Sequence, residues 1–179
     1  MLRLEIINQM LSALSYERVN SLNDNEEVVA ADALLKRVSK QVQAKGWSFN
    51  TDNISLVHDQ FGQIRLPNNA LDIDPVSNQY VRRGGKLYDK KNLTFNIGKP
   101  IRVRMVIELN IEDIPDRVVQ YLADTATLEF IQNYSAEQNI IQSWRERVYL
   151  SRVQALDYER DQKNASMTHS NLVNKVFNI

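Results

Sequence analysis

Two helical stripes of apolar residues occupy the first quarter of the chain. The first covers residues 2–14 at steps of three and four residues and consists of Leu4, Ile7, Leu11 and Leu14. The second has the same alternating steps and consists of Val28, Ala31, Leu35, Val38 and Val42. Asp24 is the predicted N-cap of the second helix, and Gly46 is its predicted stop, because glycine tolerates a left-handed backbone at a helix end. The pattern predicts a short helix followed by a long amphipathic helix.

The apolar period changes from helical to alternating after Gly46. Only Ser48 separates Trp47 from Phe49, so a strand would present both rings on one face. We expect that face to pack where the helical and β modules meet. Further strands are predicted around the sequences NISLVHD, QIRLP and LTFNI. Residues 67–79, rich in Asn, Asp and Pro, are a predicted loop, and residues 101–109 form the clearest alternating strand.

The sequence QYVRRGGKLYD predicts a β-hairpin with Gly84–Gly85 as its two-residue turn. That turn would place Arg83 opposite Lys86 and Val81 opposite Tyr88. Like charges directly opposite each other repel, so we expect the tip of this hairpin to be solvated or to meet an acidic surface.

Helical spacing returns after Pro115, which suits the first position of a helix. The stripe of this helix is Val119, Leu122, Ala126 and Phe130, and the next helix has the predicted inner face Ile141, Trp144, Val148, Ala155 and Leu156. Beyond Asp161 the hydrophobic residues follow no stable period. Residues 165–179 are therefore a predicted extended tail that becomes ordered on a partner, and its expected anchors are Leu172, Val173, Val176 and Phe177.

This order of elements predicts an α+β fold, because helices and strands are segregated along the chain. We expect a bundle of long α-helices built from the N- and C-terminal segments, residues 1–46 and 111–164. An antiparallel β module, residues 47–110, would be inserted between them.

Composition excludes several classes of site. The chain of 179 residues is 43% apolar and 25% charged and has no cysteine, which removes disulfides, thiolate nucleophiles and cysteine metal sites. His58 and His169 are far apart with no carboxylates at ligand spacing, so we expect no metal and no cofactor. No apolar run reaches the roughly 18 residues of a membrane span, and Met1–Glu5 lacks the layout of a secretion signal. We expect neither a membrane partner nor export.

The net charge is zero, but basic residues are concentrated in one segment. Residues 82–104 contain eight lysines and arginines and a single acid, Asp89. Three interpretations stay open: solvated strand faces, a phosphate-binding surface of a small nucleic-acid module, or a surface that meets the acidic part of a neighbouring copy. The candidate interface residues in this segment and on the last helix are Arg82, Arg83, Lys86, Arg102, Arg104, Arg145, Arg147 and Arg152.

The sequence contains none of the common catalytic motifs. It has no phosphate-binding glycine loop, no Gly-x-Ser-x-Gly and no His-Glu-x-x-His. Among its many acids, Asp72 and Asp74 suit turns, and Asp113 and Asp116 suit helix starts. Spacing along a chain does not report how far apart two carboxylates lie in space. A polysaccharide-degrading enzyme therefore stays open as an alternative to a structural protein, and no catalytic residue is assigned.

Three stretches in a fixed order resemble the tail tubular protein A family of short-tailed bacteriophages. RVSKQVQAKGWSFNT is a long helix that ends in Gly-Trp-x-Phe-Asn, and YVRRGGKLYD is an Arg-Gly-Gly-x-x-Tyr-Asp hairpin. EDIPDRVVQYLADTATLEF is an acidic-Pro entry into a helix. The resemblance runs from about residue 1 to residue 160. It does not extend to the loop at residues 60–78 or to the C-terminal tail.

Members of that family are adaptor, or gatekeeper, proteins between the portal and the tail nozzle. The resemblance implies a non-enzymatic virion protein, made in the host cytoplasm, whose copies form a ring under the portal after genome packaging. The ring is dodecameric in the family. The implied partners are further copies of the chain, the portal protein and a nozzle of the tail tubular protein B type, with tail fibres as a further candidate. Double-stranded DNA would pass through the lumen without sequence-specific binding.

Overall fold

The structure, a computed structural model, describes residues 2–23, 25–134 and 137–177, and it describes side chains as far as residue 165. It divides into unit 1, Met1–Val42 with Asn110–Ile179, and unit 2, Gln43–Leu109. The helices are α1 (Arg3–Ser12), α2 (Glu26–Gln43), α3 (Asp116–Tyr134) and α4 (Gln138–Phe177). The strands are β1 (Thr51–Leu56), β2 (Ala70–Pro75), β3 (Tyr80–Arg83), β4 (Lys86–Asp89) and β5 (Ile101–Ile107). The predicted α+β class is confirmed, and within the described ranges no helix is long and apolar enough to cross a membrane.

Local backbone geometry and capping set the boundaries of the first two helices. α1 is followed by a left-handed residue, Ser15, whose φ is 60°. α2 begins where the Val28 N–H donates to the Asn25 side-chain oxygen at 2.9 Å, so Asn25 caps this helix. The predicted cap, Asp24, lies outside the described residues.

The predicted stripes of α2 and α3 form the core of unit 1. Every residue of both stripes is at most 3% exposed, which confirms the two helical patterns. α4 follows its prediction only in part, since Ile141 and Ala155 are buried but Leu156 is 46% exposed. Ser151 and Glu159, four residues to either side of Ala155, are buried on the inner face. The inner-face role predicted for Leu156 is therefore wrong.

α4 continues well beyond the helix that the sequence predicts. An extended tail is expected over residues 165–179, whereas the helix runs to Phe177. Its last 28 residues, from Leu150 onward, contain no glycine or proline. Backbone hydrogen bonding can therefore continue without an apolar stripe to mark it. The side chains of the four expected anchors, and the last two residues, lie outside what the structure describes.

Unit 2 contains an antiparallel sheet of order β1-β5-β2 and the two-stranded sheet β3–β4. The central strand β5 alternates as predicted, with Ile101, Val103 and Met105 buried and Arg102 and Arg104 exposed. Its buried side packs with residues of the hairpin and the connecting loops to form the core of unit 2, and that core includes Ile64, Leu66, Ala70, Tyr80 and Leu87.

Within residues 67–79, which are predicted to be a loop, the structure has strand β2. Ile73 lies opposite Met105 of β5 and packs against the core, whereas Asp72 and Asp74 are exposed. Alternation requires only every second residue to be apolar, so turn-forming residue types can line the outer side of a strand. The turn roles expected for Asp72 and Asp74 are wrong.

The chain enters unit 2 through a 3-10 turn instead of the predicted strand. Gly46 has a φ of 74°, which confirms the left-handed stop, and Ser48–Asn50 form the turn. Trp47 is 4% exposed and Phe49 is half-buried, with their ring centroids 6.2 Å apart. Because the backbone coils here, the two rings do not share the face of a strand.

The buried side chain of Asn50 organises this turn. It donates to the carbonyls of Gln43 at 3.1 Å and Ile107 at 2.9 Å, and it accepts from the Trp47 N–H at 2.9 Å. The Gln43 side chain in turn accepts from the Leu109 N–H at 2.8 Å and donates to the Leu109 carbonyl at 3.1 Å. These bonds join the first and last residues of unit 2.

Candidate assembly surfaces

The β3–β4 hairpin has the predicted register, with Arg83 opposite Lys86. Aromatic rings offset the repulsion between the two cations. The Arg83 guanidinium carbon is 4.1 Å from the centroid of the Tyr88 ring, and Lys86 Nζ is 5.9 Å from that of Phe95. Tyr88 and Phe95 meet edge to face at 4.9 Å. We name these four residues the hairpin surface; Lys86 also donates to the Gln63 side-chain oxygen at 2.7 Å.

The other predicted cations of unit 2 lie in different settings. Arg82 donates to the Ala70 carbonyl at 3.0 Å and so ties β3 to β2 within the unit. Arg102 and Arg104 are on the outer face of the sheet, where Arg104 lies opposite Asp74 of β2. A cross-strand carboxylate partly compensates such a charge. The basic segment is thus divided between the hairpin surface, a structural link and the outer sheet face.

A buried carboxylate holds the turn after β4. Asp89 is 3% exposed and accepts the N–H groups of Lys91 at 2.9 Å and Asn92 at 3.0 Å. It also accepts the side-chain amides of Asn92 and Gln79, both at 2.8 Å. Burial raises the pKa of Asp89, but these hydrogen bonds outweigh it and hold the pKa below its usual value. The aspartate that ends YVRRGGKLYD is therefore a structural residue.

On α4, Arg147 is held within unit 1. Its Nε lies 3.1 Å from the carboxylate of Asp124, which is 1% exposed, and its guanidinium carbon is 4.7 Å from the Trp144 ring centroid. The same carboxylate accepts from Gln9 of α1 at 3.2 Å and from Gln120 at 2.9 Å. A buried charge requires such partners, so Arg147 links α4 to α3.

α4 also has a second apolar stripe, which the sequence analysis missed. Its members and exposed fractions are Tyr149, 66%; Leu150, 54%; Val153, 39%; and Leu156, 46%. Leu150, Val153 and Leu156 follow one another at steps of three, and Tyr149 lies four residues before Val153. All four are therefore on one side of the helix, away from the buried Ser151 and Ala155. The exposed Arg145 and Arg152 lie four residues before and three residues after Tyr149. We name the four apolar residues the α4 stripe; their spacing was visible in the sequence but merged there with the inner stripe.

The acids considered for catalysis lie in two places, the outer side of β2, with Asp72 and Asp74, and the entry to α3. Asp113 ends a 3-10 turn, Ile111–Asp113, and Asp116 is the first residue of α3. An open cleft of 540 Å³ on the outer sheet face is lined by one cation, Arg102, and by no carboxylate. Within the described residues, no group of three or more His, Cys, Asp or Glu side chains is placed to hold a metal ion.

Comparison with known proteins confirms the resemblance drawn from the three motifs. The sequence profile of a family described as tail tubular protein matches residues 4–165, which span both units. The "Tail tubular protein A" of Klebsiella phage KP34 is 27% identical over 136 residues, covering 74% of this chain and 73% of that protein. The chain belongs to the tail tubular protein family, a family of structural proteins of the phage tail.

Proposed function

We propose that the chain is a portal-to-tail adaptor without enzymatic activity. Its copies form a ring, dodecameric by the family resemblance, that docks under the portal and surrounds the DNA exit channel. The ring is the platform for the tail nozzle, and tail fibres are a further candidate partner. Membership of the tail tubular protein family supports a place in the virion tail.

The observation that carries this proposal is the α4 stripe. A helix with apolar residues on two sides cannot bury both of them against one layer of neighbours. A contiguous exposed apolar patch is typical of a protein–protein contact. In a ring, each subunit presents one surface to a different surface of the next, and the α4 stripe is suited to be one side of such a contact.

The distribution of charge also favours a head-to-tail contact. Unit 2 contains ten lysines and arginines and six acids, so it carries about +4, and unit 1 carries about −4 because the chain is neutral. When copies associate head to tail, the basic unit 2 of one copy is attracted to the acidic unit 1 of the next. The hairpin surface is the strongest candidate for the basic side of that contact.

A paired substitution tests the ring. Val153→Glu with Leu156→Lys should abolish rings while leaving the helix content by circular dichroism unchanged, because the two residues are 39% and 46% exposed and lie outside the buried core of unit 1. Gln154→Glu, an exposed position on the same helix, is the matched control. Native mass spectrometry and electron microscopy, with and without purified portal rings, measure assembly. Rings of the stripe variant that form on the portal like those of the wild type would refute the proposal.

The dependence of assembly on ionic strength tests the hairpin surface. Arg83→Glu with Lys86→Glu should weaken assembly on the portal and flatten its dependence on ionic strength. Unchanged assembly with an unchanged salt slope would remove the hairpin surface from the contact. A mobility-shift titration with double-stranded DNA separates this from the nucleic-acid alternative, which requires tight binding with a steep salt slope.

Deleting residues 166–179 tests the tail. The truncated chain should keep its thermal transition but dock more weakly on portal rings, since the removed segment is the expected portal contact. Docking at wild-type affinity would contradict that assignment.

The non-enzymatic part of the proposal has its own test. Incubation with bacterial surface polysaccharide should release no new reducing ends. Glu17 and Glu27 line one cleft of unit 1, so they are one pair of carboxylates to substitute if any activity is found. Release of sugar by the purified protein would overturn this part, and its loss in Glu17→Gln or Glu27→Gln would assign the activity to this cleft.

A further inference from the structure

Leu93 combines an unfavourable backbone with an exposed apolar side chain. Its φ is 54°, in the left-handed region that glycine and asparagine tolerate but branched side chains avoid. Its side chain is 75% exposed, so burial within unit 2 does not offset the conformation. Backbone strain of this kind persists only where the surroundings impose it, and it often marks a functional position.

The surroundings impose it through Asp89. Three hydrogen bonds to its carboxylate fix Lys91 and Asn92, and a fourth comes from Gln79. The backbones of Asp89 and Thr94 also bond to each other in both directions, at 2.9 and 3.2 Å. Leu93 lies inside this closed turn. It is presented on a rigid support, which lowers the entropy cost of inserting it into a partner.

Unit 1 has a cleft that fits such an insertion. It measures 290 Å³, and its lining combines the exposed ring of Tyr16, Val19 and the buried Leu11 with four polar or charged residues, Glu17, Arg18, Asn25 and Glu27. A Schellman motif at the end of α1 forms one wall, because the Tyr16 N–H donates to the Leu11 carbonyl at 3.0 Å. Asn8 holds Val19 by two reciprocal bonds, at 2.8 and 2.9 Å. The cleft is therefore preformed.

The charges around the two features are complementary. Lys90 and Lys91 precede Leu93 and are exposed. Glu17 and Glu27 line the cleft together with Arg18, and unit 1 as a whole is acidic. The two cations beside Leu93 are therefore complementary to the net negative charge of the cleft, where two carboxylates outnumber one cation.

We propose that Leu93 of one copy enters the Leu11–Tyr16–Val19 cleft of the next copy and anchors the contact between them. This inference rests on the proposed ring and names one of its contacts. The contact joins unit 2 of one copy to unit 1 of another, which is the heterologous arrangement that a ring requires.

Two substitutions separate the anchor from the fold. Leu93→Asn suits the left-handed backbone, so its Tm should be equal to that of the wild type or higher by about 2–4 °C, while assembly on portal rings weakens by about tenfold or more. Leu93→Ala keeps the strained backbone and should weaken assembly to a similar degree without the gain in Tm. Wild-type assembly of both variants would overturn the inference. That result would not contradict the proposed ring. Failure of the wild type to form rings would instead refute the proposed function.

Cysteine crosslinking identifies the occupant, because the chain has no native cysteine. A chain with Leu93→Cys and Tyr16→Cys should form a ladder of covalent multimers under oxidation of assembled rings, since a disulfide requires Cα atoms about 4.4–6.8 Å apart. The control replaces Leu93→Cys by Val76→Cys, another exposed apolar residue of unit 2, and should give no ladder. Rings that form without a 93–16 ladder would overturn the second copy as the occupant.

Discussion

Removing the Asn50 side chain should destabilise unit 2 by about 3 kcal/mol. Asn50 is 1% exposed and makes three hydrogen bonds, to the Gln43 and Ile107 carbonyls and from the Trp47 N–H. Each contributes about 1 kcal/mol net, and a buried polar group that loses its bond costs as much or more. Asn50→Ala deletes all three, which sets the expected loss in the free energy of unfolding.

Asn50→Asp sharpens this test, because only one of the three bonds survives. A carboxylate can still accept from the Trp47 N–H, but it would face two carbonyl oxygens. Burial against these acceptors raises the pKa of the introduced acid above its unfolded value of about 3.9. The folded state then binds more protons than the unfolded state, so the deficit relative to wild type should grow as pH rises above about 4.

The assay uses one tryptophan for each unit. In a Trp144→Phe background, Trp47 reports on unit 2 alone during urea unfolding. The free energy is measured for wild type, Asn50→Ala and Asn50→Asp between about pH 4 and 7.5. A loss below about 1 kcal/mol for the alanine variant, or a deficit of the aspartate variant that does not change with pH, would refute the hydrogen-bond account of this turn.

Three further predictions concern unit 2. Trp47→Ala should cost about 3–5 kcal/mol in urea unfolding, as expected for a buried aromatic, and a loss near zero would contradict its 4% exposure. Gly46→Ala should lower the free energy of unfolding by about 1–2 kcal/mol. The main cause is the φ of 74°, and the added Cβ would also lie 2.7 Å from Arg104 Nη2. An equal or higher Tm would refute this. Because the pKa of Asp89 is lowered in the fold, its contribution is present above about pH 4 and is lost as pH falls through the lowered value. The difference in urea midpoint between wild type and Asp89→Asn should therefore be large at pH 7 and shrink towards pH 3, and a constant difference would contradict the role of the charge.

Periodicity and turn chemistry are sufficient to predict an element when its structure depends only on residues close in sequence. The steps of three and four residues in α2 and α3 predict their buried stripes, because the helix repeat alone decides which side chains face inward. The pair Gly84–Gly85 fixes the register of the hairpin, since a two-residue turn leaves only one pairing. These elements required no knowledge of distant residues.

Elements that depend on distant partners were missed. β2 reads as a loop because its outer residues are acids and its partner, β5, lies about 30 residues further along the chain. The turn at Ser48–Asn50 depends on the Ile107 carbonyl, far from it in sequence. Among the candidate interface residues, Arg82 and Arg147 were named for their charge, but their partners inside the units, Ala70 and Asp124, come from other elements.

The features proposed for assembly have one physical property in common, which is that none of them is fully compensated within the isolated chain. The α4 stripe leaves apolar surface in water, Leu93 holds a left-handed backbone, and Arg83 faces a like charge at Lys86. Leu93→Asn would favour the folded monomer, because asparagine tolerates the left-handed backbone. Polar substitutions on the stripe and Arg83→Glu should leave the Tm of the monomer close to that of the wild type, the latter because it loses the Tyr88 contact as it removes the repulsion. If the ring is the state in which these features gain their partners, substitutions at these places that keep or raise the Tm of the monomer should lower its affinity for the assembly. Substitutions in either core should instead lower the Tm and assembly together, so the sign of that correlation separates surfaces used in assembly from surfaces used in folding.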